Sequence, residues 1–289
     1  MASKHVFVTT QSGLSAELSP MGAALKSLKF DGVEMLYVDP RIDFDKPNNG
    51  YYGQIVSPLA GRIKKGILGP FAFPVNERGN ALHSSVYTSA WKEFEVNVFE
   101  LDGDTDVIFT RKEKLFGANV ELNVHYAFSG KAARFTQTIT LHADGPIPAN
   151  PSSHIYFSLG QDDVSTITVS MQASQAMAYD EEAVPLGFVP MQEPFRLEKP
   201  WALGRNLDNS FRLDRAGVSF HGERFDMETL VHTNALHLYV DLPSQANAAT
   251  PKGFALEPVQ FPSNKENEAI LEANKYLTVL TQYSFSKHL

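Results

Sequence analysis

His154 lies in the run Ser152-Ser153-His154-Ile155-Tyr156-Phe157-Ser158-Leu159. In an extended chain Ile155, Phe157 and Leu159 share one face, and His154, Tyr156 and Ser158 share the other. With the apolar face turned to a core, the imidazole and the phenol line the opposite, accessible face. Glu257 lies in Gly253-Phe254-Ala255-Leu256-Glu257-Pro258, where Phe254 and Leu256 take one side and Ala255 and Glu257 the other. Pro258 disfavours a helical conformation at Glu257 and is expected to end ladder pairing there. An imidazole and a carboxylate can each take a proton and return it near neutral pH, which is the chemistry of a general acid–base pair. Alternation alone also fits a hydrogen-bonded structural histidine and a solvated strand-end glutamate, and it leaves those readings open.

Three further polar residues stand in contexts that could serve a site. His83 follows Ala81-Leu82 and precedes Ser84-Ser85 in a polar loop entry. Arg62 follows Gly61, and glycine permits close approach of a backbone or a ligand. Asp208, in Leu207-Asp208-Asn209-Ser210-Phe211, reads equally as an ordinary turn. Other chemistries find no support. Gly61-Arg62-Ile63-Lys64-Lys65-Gly66 lacks P-loop spacing, and no Gly-x-Ser-x-Gly elbow occurs. His232 and His237 lie five apart, which on a strand points them to opposite faces and disfavours a shared metal. The chain contains no cysteine, so disulfides, thiolate metal sites and cysteine nucleophiles are excluded.

The elements that must position these residues read as strands. Val120, Leu122, Val124, Tyr126 and Phe128 alternate with polar residues, Ser129-Gly130-Lys131 turns, and Phe135, Ile139 and Leu141 return. Phe94, Val96 and Val98 repeat the plan before Asp102-Gly103-Asp104 and Val107-Ile108-Phe109. Leu236, Leu238, Val240 and Leu242 form another strand, and Leu277, Val279, Tyr283 and Phe285 a last one. Ser263-Asn264-Lys265-Glu266 has capping-box spacing, although a loop with a single helical turn explains it as well. The 19 Gly and 17 Pro scatter between short strands without marking a linker. The expected fold is all-β, a large antiparallel β-sandwich formed by residues 1–289 as a single domain. A net charge of -8 with no basic block argues against nucleic acid. Arg111-Lys112-Glu113-Lys114, the longest basic run, is broken by an acid and reads as a solvated strand end. Neither a signal-peptide core nor an apolar stretch of membrane-spanning length occurs, so a soluble, cytoplasmic protein is expected.

Taken together, these segments resemble the aldose 1-epimerase, or galactose mutarotase, family. Ala60-Gly61-Arg62-Ile63 with Gly66 resembles its Asn-Arg-Ile-x-x-Gly segment, and Asn80-Ala81-Leu82-His83 its Leu-His-Gly-Gly loop. His154-Ile155-Tyr156-Phe157-Ser158-Leu159 is similar to its His-x-Tyr-Phe-Asn-Leu strand, and Asp180-Glu181-Glu182-Ala183-Val184-Pro185-Leu186-Gly187 to its Asp-x-x-x-Ile-Pro-Thr-Gly loop. Leu207-Asp208-Asn209-Ser210-Phe211 and Leu256-Glu257-Pro258-Val259-Gln260 complete the order. The resemblance implies a β-supersandwich and a cofactor-free, metal-free interconversion of sugar anomers. It makes Glu257 the general base, His154 the general acid, and His83 a second imidazole near the ring oxygen. Arg62 and Asp208 would hydrogen-bond sugar hydroxyls, with Tyr156 lining the pocket. The implied partner is a small-molecule sugar, with a homodimer left open. The departures are Gly61 for Asn, Ser84-Ser85 for Gly-Gly, Ser158 for Asn and Asn209 for His, and they bear on which sugar is taken. A hexose-6-phosphate epimerase, using Lys64, Lys65 and Arg78, and a non-catalytic sugar-binding sandwich are the alternatives.

Overall fold

The computed structural model describes residues 5–47, 50–191, 200–204, 206–241, 250–260 and 269–288. The expected turns at Ser263–Glu266 and the strand end at Leu242 lie outside them. Among the described residues the chain is almost all strand, with a few single-turn 3-10 segments. No helix there is long and apolar enough to cross a membrane.

A small antiparallel sheet comes first: β1 (Val6–Thr9), β2 (Leu14–Ser19), β3 (Ala24–Phe30) and β4 (Val33–Glu34) in sequential order. The large sheet begins with β5 (Glu95–Leu101), β6 (Asp104–Leu115), β7 (Ala118–Phe128) and β8 (Arg134–Ala143). It continues with β9 (Ile155–Phe157), β10 (Thr168–Tyr179), β11 (Asp208–His221) and β12 (Phe225–Val231). The last are β13 (Ala235–Asp241), β14 (Gly253–Val259) and β15 (Lys275–Lys287). Their spatial order is β5-β6-β7-β8-β15-β12-β11-β13-β14-β9, with β10 branching from β11.

The period-two pattern behaves as expected where one face meets solvent. Along β7 every second residue from Ala118 to Phe128 is buried, and β8 pairs with it in the same phase. The β5–β6 hairpin closes on Asp102-Gly103, whose φ values of 52° and 88° give the left-handed pair a two-residue hairpin requires. The small sheet packs on the apolar face of the large one, with Leu18, Leu25, Leu28 and Phe30 joining Phe109, Tyr126, Phe135 and Tyr283 in one core. Tyr126 donates its hydroxyl to the Ala23 carbonyl at 2.8 Å, which ties the two sheets together inside that core.

Three expectations need correction. Val98 was aligned with a core face, but β5 pairs on one side only, and Val98, Phe99 and Leu101 are exposed. The His154/Tyr156/Ser158 face is not open, for all three are buried along with Ile155, Phe157 and Leu159. The reason is a covering layer: Phe44 and Tyr52 pack on Tyr156 and Ala255, while Tyr51, Val56, Ala60 and Ala90 form a neighbouring cluster. Pro258 does not end the ladder either. β14 continues opposite β13 through Leu236↔Pro258 and Ala235↔Val259. β9 pairs only with Phe254–Leu256, so β14 is an edge at Pro258, which is where sheets accept proline.

Candidate active site

The covering layer leaves one cavity of about 470 Å³ over β9, β13 and β14, lined by His83, His154, Tyr156, Asp208, His237 and Glu257 among others. That volume suits a small ligand. Backbone pairing fixes the base of the site. His154 sits just before β9, donating its N–H to the Gln54 carbonyl at 2.9 Å and accepting from the Gly53 N–H at 2.9 Å. Glu257 is held mid-strand between β13 and the end of β9, with 4% of its surface exposed. His154 Nε2 and Glu257 Oε1 come within 3.3 Å of each other. The imidazole is walled by Tyr51 and Tyr156, with ring centres 5.8 Å and 5.1 Å away.

His83 meets His154 edge to face at 5.2 Å between ring centres. Its backbone φ is 50°, followed by 63° at Ser84 and 50° at Ser85. Three left-handed residues in succession aim the ring inward, at a conformational cost of about 1–2 kcal/mol for each non-glycine residue. Part of that cost is offset where Ser84 Oγ donates to the Leu59 carbonyl and accepts from the Leu59 N–H, both at 2.8 Å. Gly61, with φ 94°, completes the seat by donating its N–H to His83 Nδ1 at 3.2 Å. Burial, with help from the charges of His154, His237 and Arg62, holds the His83 pKa well below its ordinary value. The ring is therefore neutral, with Nδ1 as acceptor and the proton on Nε2. His83, His154 and Glu257 place ligand-type atoms within 4.8 Å of one another, a spacing that could hold a cation. With the Nδ1 lone pair taken by Gly61 and Nε2 protonated, His83 is better made to donate a hydrogen bond than to ligate a metal.

Arg62 lines the cavity, but its guanidinium is largely occupied. Nε donates to Glu77 Oε2 at 2.9 Å, Nη2 donates to the same oxygen, and Nη1 donates to the Ala183 carbonyl at 2.9 Å. The Asp180–Gly187 loop presents that carbonyl because Asp180 Oδ1 accepts from the Glu182 and Val184 N–H groups. Asp208 stands at the mouth on the first residue of β11. Crowding by surrounding protein pushes its carboxyl up, while His237 and the charges of Arg62 and Arg78 pull it down, and the net is below the ordinary value.

All six residues singled out from the sequence thus line one cavity. His237 was set aside there as half of an unsuitable metal pair, yet it lies between Asp208 and Glu257, with Nε2 at 3.3 Å and 3.9 Å from their oxygens. The signal for it was present. Leu236, Leu238 and Val240 are buried in the core, so His237 and Tyr239 share the other face in the same way as His154 and Tyr156. Tyr51, whose hydroxyl is pushed up to about 12 chiefly by burial, had no such signal because it lies on a loop at φ 55°.

The model of the aldose 1-epimerase family matches residues 4–284, and the chain belongs to that family. No curated protein matches it. Solved structures share the fold at low identity. Galactose 1-epimerase from Lactobacillus acidophilus NCFM superimposes with a TM-score of 0.89 at 17% identity, over 99% of this chain and 95% of that one. An aldose epimerase homologue from C. elegans gives 0.86 at 19% identity, over 100% of both chains. A galactose mutarotase-like protein from Clostridium acetobutylicum gives 0.79 at 16% identity, over 99% of this chain and 96% of that one.

Proposed function

We propose that this protein is an aldose 1-epimerase that interconverts the α and β anomers of a free aldohexose. The observation that carries the reading is the 3.3 Å approach of His154 Nε2 to Glu257 Oε1, both buried in a ligand-sized cavity. Anomer interconversion removes a proton from the C1 hydroxyl and delivers one to the ring oxygen, and both oxygens are bonded to the same carbon. The acid and the base must therefore converge on neighbouring atoms, as these two side chains do. Glu257 takes the hydroxyl proton while His154 protonates the ring oxygen, and the C1–ring oxygen bond breaks to give the open aldehyde. Rotation about C1–C2 followed by the reverse transfers closes the other anomer. Protons and electrons balance without an oxidant or reductant. The His83 Nε2–H supplies a neutral donor to the ring oxygen or an adjacent hydroxyl, while Arg62, Asp208 and Tyr156 orient the ring.

The charges around the cavity favour a free sugar over a phosphorylated one. Among its described lining residues the permanent cations are Arg62, whose fork is hydrogen-bonded to Glu77, and the exposed Arg78, 3.6 Å from the same carboxylate. Phosphate recognition calls for clustered guanidinium or ammonium donors facing the ligand, and Glu77 offsets the charge of this pair. Cytoplasmic residence and assembly as a homodimer are consistent proposals that rest on composition and family alone.

Polarimetry or NMR exchange across free and 6-phosphorylated aldoses tests the reading. Glu257→Gln should lower kcat about 10²–10⁴-fold, the usual range for losing a general base, while sugar binding measured by calorimetry persists. A Glu257→Gln enzyme at wild-type rate would sink it.

A further inference from the structure

His237 has no part in the proton transfers just described, yet it contacts Ser210, Asp208 and Glu257 within the cavity. It lies at the centre of a row that crosses the sheet. Ser210 on β11 is directly opposite His237 on β13, and His237 is directly opposite Glu257 on β14. All three side chains reach the cavity face. Ser210 Oγ is 2.9 Å from His237 Nδ1 and 2.9 Å from the Tyr179 hydroxyl, so the row is anchored at its far end on β10. At the near end Glu257 leads on to His154 at 3.3 Å. Each of the three central residues is held by its ladder position, so a shift in any one strand moves the rest.

We propose that His237 is a positioning residue for Glu257: from the middle strand it bridges Asp208 and Glu257, orients the base towards His154, and makes the two carboxylates respond to pH together. The proposal rests on the reading of Glu257 as the base. Without a cation between them, Asp208 and Glu257 would be two like charges facing one cavity, and one would tend to hold a proton. An imidazolium 3.3 Å and 3.9 Å from their oxygens removes that conflict. With Nδ1–H donated to Ser210 and Nε2–H directed at the carboxylates, the charged ring has a partner for both of its protons. The titratable and charged groups around it are Asp208 and, through Ser210, Tyr179 from β11 and β10; Glu257 from β14; and Arg62 and His83 from the covering layer. Burial and Arg62 oppose the charge on the ring, the two carboxylates favour it, and the carboxylates prevail.

Two measurements test this. In His237→Gln the amide can still bond Ser210, but the charge is gone. The acid limb of kcat/KM for anomer exchange should then move up by about one pH unit, so that the variant loses roughly tenfold at the acid end and much less at pH 8. A purely structural role would lower kcat/KM evenly at every pH, and that result would overturn the proposal. The second measurement does not depend on activity, and its wild-type arm does not depend on any variant folding. Ring ¹⁵N shifts of His237 in the wild-type protein should show both nitrogens protonated at pH 7, with the titration moved to lower pH in Asp208→Asn. A neutral ring at pH 7 overturns the proposal even if the enzyme is active. A charged ring in a protein that exchanges no aldose would instead overturn the functional reading, and with it the role of His237 towards a base, while leaving the ionic bridge between Asp208 and Glu257 standing.

Discussion

At the scale of single residues, His83 and His237 show how one cavity can shift the same side chain in opposite directions. The Gly61 N–H occupies Nδ1 of His83 and no ion pair to a carboxylate forms there among the described residues, so burial decides and the ring stays neutral. His237 is half-buried and also loses water, but Asp208 and Glu257 outweigh that loss and its pKa is raised. Arg62 illustrates a second residue-scale effect. Its fork is fixed by Glu77 and the Ala183 carbonyl, which leaves it little freedom to search for a ligand. Glu77→Ala should therefore raise KM about tenfold, the usual worth of a charged hydrogen bond, with kcat within a factor of about three. An unchanged KM in the steady-state assay would mean that Arg62 needs no such support. The types and contexts of Glu257, His154, His83, Arg62 and Asp208 were legible in the chain. The carboxylate pair that raises the His237 pKa was not, because Asp208 and Glu257 lie 29 and 20 positions away from it and meet it only across the ladder.

At the scale of elements, the turn that carries His83 is the most strained segment of the site. Ser84 recovers part of the cost by its two bonds to Leu59, whereas Ser85 is buried at 1% exposure in a left-handed conformation. Ser85→Gly should relieve about 1–2 kcal/mol of steric cost against about 0.5–1 kcal/mol of added freedom in the unfolded chain. The expected outcome is a melting temperature raised by about 2 °C. A lower Tm by calorimetry would show that the Ser85 side chain contributes more by packing than its backbone costs. The strands themselves were readable wherever one face meets water, as in β7 and β8. The reading failed at β9 and β14 because a strand covered on both faces has no polar side to reveal, and at β5 because an edge strand need not bury its apolar residues.

At the scale of the whole molecule, the two imidazoles set opposite slopes on stability against pH. The His83 pKa is lower in the folded protein, so unfolding takes up a proton below about pH 6.5 and stability falls as pH falls. The His237 pKa is higher in the folded protein, so its contribution is fully present below about pH 6.5 and is lost as pH rises through the folded value. Together they place a maximum near pH 6.5, with each limb no steeper than about 1.4 kcal/mol per pH unit. Denaturant titrations across pH 5–8.5 should show His83→Gln flattening the acid limb and His237→Gln the alkaline one. If both variants keep the wild-type slopes, neither histidine carries these shifts.

Strand content, the phase of the core-facing residues and the identities of the acid and base candidates were determined by the sequence, because alternation and residue type are local properties of the chain. The cavity, the state of each imidazole and the place of His237 were decided only by the tertiary structure. Each depends on residues distant in the chain: Phe44, Tyr51, Tyr52, Val56, Ala60 and Ala90 in the covering layer, Gly61 against His83, and the three-strand register that sets Ser210, His237 and Glu257 in one row. A proton's affinity for a side chain is set by the charges and solvent around it, and those neighbours are assembled by folding.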